Sequence, residues 1–309
     1  MSQGQDSTTS PDASNASNAS ATPGTGLAAG STSGASTVET LLREPGLPPS
    51  ESRILLSHVL GWSRTQLITR DREPLAPDAV AAYRGLHARR VAGEPIAYLT
   101  GTREFFGLTF AVSPSVLIPR PETELLVELA LARLEGCTAP RVLDLGTGSG
   151  AIALAIAHSR PDAQLTALDR STDALRVATG NAQQLGLAAP RVRFLESDWY
   201  GALAAGEAPF DMIVSNPPYI VAGDEHLSQG DLRFEPADAL TDHADGLAAL
   251  RVIVAGAVSR LKPGGWLLCE HGYHQAADVR ALCDAAGFLD VFSERDLAGI
   301  ERTTGGRRA

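Results

Sequence analysis

Cysteine is scarce. The 309 residues hold three, Cys137, Cys269 and Cys283. Their spacing matches no metal site, and they are too few for a disulfide framework. No metal is therefore expected. Base is also in deficit, with 26 Lys+Arg against 36 Asp+Glu and a net charge of −10. A general nucleic-acid binder carries a basic footprint, so direct sequence-specific nucleic-acid binding is not expected. No apolar run is long enough to span a bilayer, and the first residues carry no secretory pattern. These absences point away from a membrane partner and towards the cytosol. Residues 1–36 are Ser, Thr, Ala, Gly and Asn, with Asp6 and Asp12 their only charged side chains. Such a segment buries too little to offset its ordering entropy and reads as a disordered low-complexity tail.

What is present begins at Val38. Through Gly93 the apolar residues recur at helical spacing, and Ser50 and Ser63 stand where N-caps would. Pro77 opens a longer helix over residues 78–92, carrying Arg84, Arg89 and Arg90. These arginines form either a solvated face or a docking surface. Residues 37–100 are thus a small helical domain. Residues 101–113 turn β-rich around Gly107 and read as a linking hairpin. An apolar helix over 125–134 follows, begun at Pro121.

From Arg141 strand and helix alternate, with strands over 141–145, 164–169, 192–196, 211–215, 266–270 and 288–293. A last strand is expected over 301–304. Alternation of this kind gives an α/β fold, a mostly parallel sheet covered by helices on both faces. Ligands then bind at the carboxyl ends of the strands.

Four junctions at those ends carry chemistry. Asp144-Leu145-Gly146-Thr147-Gly148-Ser149-Gly150 leaves the first strand for a helix. Its glycines allow a sharp turn and close approach to a ligand, and the helix start offers unpaired N–H groups. Either NAD or S-adenosylmethionine fits such a loop. The G-x-G-x-G spacing, with an acid two positions ahead, favours the latter. Asp169 ends the second strand, where a carboxylate accepts from both ribose hydroxyls. Asp198-Trp199 follows the third, with Trp199 placed to wall an adenine and Asp198 to accept from its amino group.

The most specific junction is Asn216-Pro217-Pro218-Tyr219, after the strand ending at Ser215. Two prolines remove two N–H donors and fix φ twice. The Asn216 side chain and the Pro217 carbonyl are then two acceptors converging on one point, which suits a planar NH₂ group. Tyr219 is placed to stack on it.

An Asp-x-Gly-x-Gly-x-Gly loop followed by Asn-Pro-Pro-Tyr resembles the class I amino-methyltransferases. Further stretches match the bacterial peptide-chain release factor glutamine N5-methyltransferases. They are Gly93-Glu94-Pro95-Ile96-Ala97-Tyr98, Glu104-Phe105-Phe106-Gly107 and Ile118-Pro119-Arg120-Pro121-Glu122-Thr123-Glu124. Gln229-Gly230-Asp231-Leu232-Arg233-Phe234-Glu235-Pro236 and Glu270-His271-Gly272 belong with them. The resemblance runs from Val38 to the C-terminus. The ending Gly305-Gly306-Arg307-Arg308-Ala309 departs from it, being less apolar.

The resemblance implies a seven-stranded Rossmann-like methyltransferase sheet over 114–309 and a helical domain that helps dock a release factor. The cofactor implied is S-adenosylmethionine, held by Gly146, Thr147, Gly148, Ser149, Gly150, Asp169, Trp199 and Asn216. The substrate implied is the glutamine of a Gly-Gly-Gln tripeptide, held by Asn216, Pro217, Pro218 and Tyr219. Asn216, Pro217 and Tyr219 would carry the catalysis.

Overall fold

The computed structural model describes residues 35–309. The expectation of a tail falls almost wholly on residues outside these. Five helices come first: α1 (Val38–Leu41), α2 (Pro49–Leu60), α3 (Arg64–Thr69), α4 (Pro77–Val91) and α5 (Ile96–Thr100). Leu41, Leu55, Leu56 and Tyr83 are fully buried among them. Ser63 caps α3 as expected, its hydroxyl accepting from Gln66 while Gln66 returns a bond to the Ser63 N–H. Ser50 is not a cap. The helix starts two residues earlier, with Pro48 as N-cap and Pro49 inside. Proline lacks the N–H that the first turn leaves unpaired, so it begins a helix at no cost in hydrogen bonds.

The arginines of α4 are all paired with carboxylates. Arg84 pairs with Glu44, Arg89 with Glu94, and Arg90 with both Glu51 and Asp231. Arg90 is the least exposed of them, its side chain 19% exposed.

The hairpin is present as β1 (Thr102–Phe105) and β2 (Leu108–Ala111). Phe106 and Gly107 turn it, both at positive φ, as a two-residue hairpin turn requires. The Phe106 N–H donates to Glu124, which holds this bulky residue in its unusual conformation. A 3-10 turn at Pro121–Thr123 leads into α6 (Glu124–Arg133).

The remaining chain alternates through β3 (Arg141–Leu145), α7 (Ala151–Ser159), β4 (Gln164–Asp169), α8 (Thr172–Gln184), β5 (Val192–Glu196) and β6 (Phe210–Ser215). After two 3-10 turns come α9 (Ala237–Leu240), α10 (Ala248–Arg260), β7 (Leu261–Glu270), α11 (Ala276–Ala285), β8 (Leu289–Arg295) and β9 (Glu301–Arg307). The sheet has seven strands in the order β5-β4-β3-β6-β7-β9-β8. The first five run parallel, and β9 is antiparallel to both its neighbours.

Successive residues of a strand face opposite sides, and both sides are filled. Val142, Met212 and Val214 pack under α6 and α7, while Leu143, Ile213 and Leu267 pack under α10 and α11. This explains why the central strands read as unbroken apolar runs.

Three strand ends differ from expectation. β7 begins at Leu261, ahead of Lys262-Pro263-Gly264-Gly265, which read as a break. β8 is shifted, running Leu289–Arg295. β9 extends through Arg307, past the predicted stop at Thr304. Gly305 and Gly306 are required there. A Cβ at Gly305 would lie 2.5 Å from Leu268 Cδ2, and one at Gly306 would lie 2.8 Å from Phe288 Cβ. The apolar volume missing from the C-terminus is supplied by its neighbours.

Candidate active site

The strand order reverses around β3, which has β4 on one side and β6 on the other. A cavity of about 540 Å³ opens there, at the carboxyl ends of the strands.

Its floor is the loop between β3 and α7. Gly146 and Thr147 each donate their N–H to the Leu168 carbonyl at 2.9 Å, which pins the loop to β4. Gly148 donates to Asp169 Oδ2 at 2.8 Å, and Ser171 N–H donates to Asp169 Oδ1 at 2.9 Å. Burial raises the Asp169 carboxyl above the usual carboxylate range, and these two N–H groups oppose it. A carboxylate accepts about four bonds, so Asp169 keeps lone pairs for a ligand. Beneath the loop, Thr147 donates its hydroxyl to Asp144 Oδ2 at 2.6 Å. Asp144 is fully buried, and burial pushes its carboxyl up to about 7.

Gly146, Thr147, Gly148, Ser149, Asp169, Asp198 and Trp199 all line the cavity. Gly150 does not. A Cβ there would meet Leu154 Cδ1 at 3.0 Å and Ala178 Cβ at 3.2 Å, so this glycine serves the packing of α7 on α8. The Trp199 ring reaches over the loop, 4.0 Å from where a Gly146 Cβ would stand.

Asn216 and Pro218 also line the cavity. Asn216 Nδ2 donates to Thr123 Oγ1 at 3.2 Å, which leaves Oδ1 as the end that can accept. Pro217 is buried and Tyr219 half-buried, and neither lines the cavity. The backbone alternates, so the four residues cannot all face one way. The Pro217 carbonyl lies in the peptide that joins this buried proline to the cavity-lining Pro218. Tyr219 donates its hydroxyl to Glu270 Oε1 at 3.3 Å instead of stacking in the cavity. Its carbonyl accepts from Gln275 Nε2 at 3.1 Å, and Gln275 also bonds Gly246 and Gly272. The loop is thereby clamped at both ends.

The charges of the wall discriminate between ligands. Asp169, Asp173, Asp198, Asp238 and Asp242 face the cavity. The two arginines there are paired, Arg120 with Glu235 and Arg170 with Asp238. A pyrophosphate would meet carboxylates with no free arginine among these groups. A cation bearing a ribose and an adenine is suited, which favours S-adenosylmethionine over NAD.

Comparison with known proteins bears on the same point. Residues 37–101 match the family model described as PrmC N-terminal domain, and residues 121–241 match the Methyltransferase small domain. The release factor glutamine methyltransferase of Burkholderia pseudomallei (strain K96243) is 62% identical over 274 residues, 88% of this chain and 96% of that protein. The chain belongs to the release factor glutamine methyltransferases. The member from Bordetella pertussis (strain Tohama I / ATCC BAA-589 / NCTC 13251) is 59% identical over 86% of this chain and 97% of its own. The T. thermophilus 16S rRNA N2 G1207 methyltransferase, solved in complex with AdoMet and guanosine, shares the fold. Its TM-score is 0.51 at 24% identity, over 67% of this chain and 50% of that one.

In this release factor glutamine methyltransferase, the glycine loop (apart from Gly150) and Asn216, both singled out in the sequence, line one cavity. Sequence reading missed Thr123 and Glu270. Both lie inside stretches that carry the family resemblance, but nothing local marks them as neighbours of Asn216. Among the described residues no helix is long and apolar enough to cross a membrane.

Proposed function

We propose that this methyltransferase methylates the side-chain amide nitrogen of the glutamine in the Gly-Gly-Gln tripeptide of peptide-chain release factors. S-adenosylmethionine, bound in the cavity, supplies an electrophilic methyl group on a positively charged sulfur. The backbone of Gly146, Thr147, Gly148 and Ser149 cradles that cofactor. Asp169 accepts from its ribose hydroxyls, Trp199 walls the adenine, and Asp198 accepts from the adenine amino group. Gly150 acts indirectly, by seating α7.

The observation that carries this reading is Asn216, which lines the same cavity as the glycine loop with its NH₂ end held by Thr123. An amide nitrogen is a poor nucleophile because its lone pair is delocalised into the carbonyl. Asn216 Oδ1 and the Pro217 carbonyl accept its two N–H bonds, shift electron density back onto nitrogen and fix its direction. Pro218 shapes the wall beside it. Tyr219 contributes through Glu270 rather than by stacking. Positioning and fixed dipoles supply most of the rate, and a strong general base is not required.

The helical domain docks the release factor. It is joined to the loop after Tyr219 by Arg90 on Asp231 and by Arg233 on the Ala92 carbonyl. Net charge of −10 supports a protein substrate over nucleic acid. Release factors work where proteins are made, so the enzyme acts in the cytoplasm. The test is incubation with labelled S-adenosylmethionine and purified release factor, ribosomes or DNA in separate reactions. Label on the release-factor glutamine supports the proposal. Label on ribosomal protein or DNA alone overturns it.

A further inference from the structure

Glu270 ends β7 beside the Asn216 loop, 2% exposed. The chemistry above gives it no direct part. A carboxyl withdrawn from water this completely needs partners. Tyr219 donates to Oε1. Oε2 is sealed from solvent and has no hydrogen-bond partner. The Thr123 hydroxyl lies beside Glu270, close enough to favour its charged form. Thr123 is itself 4% exposed, and its oxygen accepts from Asn216 Nδ2.

A hydroxyl has one proton and two lone pairs. The direction of the Thr123 proton therefore decides what Asn216 presents. Directed at an ionised Glu270, it leaves only an acceptor facing Asn216. The carboxamide must then place NH₂ on Thr123 and Oδ1 towards the cavity. With Glu270 protonated or replaced, Thr123 is free to donate to Asn216 instead. The carboxamide, whose two ends are nearly the same shape, can then turn over. Its NH₂ would meet the NH₂ of the substrate, donor against donor.

We propose that Glu270 is a positioning residue whose carboxylate, acting through Thr123 and Tyr219, locks the Asn216 carboxamide in the orientation that accepts from the substrate amide. This rests on the function proposed above. The charged groups around Glu270 are Arg302, which favours ionisation, and Glu122, which opposes it, with the Tyr219 and Thr123 hydroxyls also favouring it. Burial outweighs them and raises the carboxyl to about 7. Because the locking form is the charged one, turnover rises as pH increases through the neutral range.

The test uses the full-length enzyme, S-adenosylmethionine and release factor, with Glu270→Gln, Thr123→Val and Thr123→Ser. Glu270→Gln and Thr123→Val are expected to lower kcat by roughly 10- to 100-fold, the scale for a group that orients a reacting partner. Cofactor affinity by calorimetry stays near normal. Thr123→Ser recovers most of the loss seen with Thr123→Val. The rise of kcat through neutrality, present in wild type, is absent in Glu270→Gln. The lock is refuted if Thr123→Ser is as impaired as Thr123→Val, or if Glu270→Gln keeps the wild-type pH profile. Parallel losses of kcat, cofactor affinity and melting temperature would refute it as well, since they indicate a structural role. A wild-type enzyme that leaves release factor unmethylated sinks the proposed function, and the lock with it.

Discussion

Asn216 is the side chain on which rate should depend most. Its interaction strengthens as the substrate nitrogen becomes nucleophilic, so its loss belongs in kcat rather than in cofactor binding. Asn216→Ala is expected to cost roughly 10²–10³ in kcat, the scale for one preorganised partner. Asn216→Asp keeps an acceptor but loses the N–H that Thr123 receives, and should fall between. Single-turnover methyl transfer with parallel calorimetry checks both, and an unimpaired Asn216→Ala would refute the assignment. Asp144 offers a second test at this scale. Its carboxyl is raised from 3.8 to about 7, first by burial. Between those values the folded state holds a proton the unfolded chain has lost. Stability from this group therefore falls as pH rises through that window, and the full cost persists above it. Asp144→Asn should be more stable than wild type at alkaline pH, by on the order of 4 kcal/mol at most. That advantage should vanish in acid, as read by urea denaturation at the two extremes. The glycine loop, Asp169 and Asn216 were legible because each sits in one contiguous motif. Thr123 lies 93 positions from Asn216 and Glu270 lies 51 from Tyr219, and no local pattern reports such pairings.

Strands and helices were legible where periodicity is strong and punctuation is plain. β3, β4 and β5 lie where the apolar runs placed them. β7 was cut short because Pro263-Gly264-Gly265 imitates a turn, while its register with β6 is irregular between Phe210 and Met212. β9 was cut short because glycines read as a stop. Their actual role is to admit the side chains of adjacent strands, which sequence spacing does not show. Gly305→Ala tests this. The added methyl would stand 2.5 Å from Leu268 Cδ2 and 3.0 Å from the Leu267 carbonyl. Overpacking of this kind costs about 1–3 kcal/mol, to be read as a lowered urea midpoint with unchanged slope. A variant as stable as wild type would show that the sheet relaxes around it.

The chain as a whole joins a helical domain to a transferase sheet, and the junction was only partly foreseen. The basic face of α4 was legible as composition; its acidic partners were not, because Glu44, Glu51 and Asp231 come from other segments. Arg84 and Arg89 remain 56% and 55% exposed and can still meet a partner, whereas Arg90 is committed to the fold. Reversing Arg84 and Arg89 to Glu should raise KM for intact release factor severalfold while a short glutamine peptide is methylated as before. Equal losses on both substrates would indicate misfolding. The position of β9 has a further consequence for assembly of the sheet. Among the described residues β8 pairs with no strand except β9, and β9 lies between β7 and β8. β8 comes first in the chain, yet it cannot join the sheet ahead of β9. The two strands therefore enter as one antiparallel pair. Until they do, β7 presents an open edge of the kind on which chains aggregate.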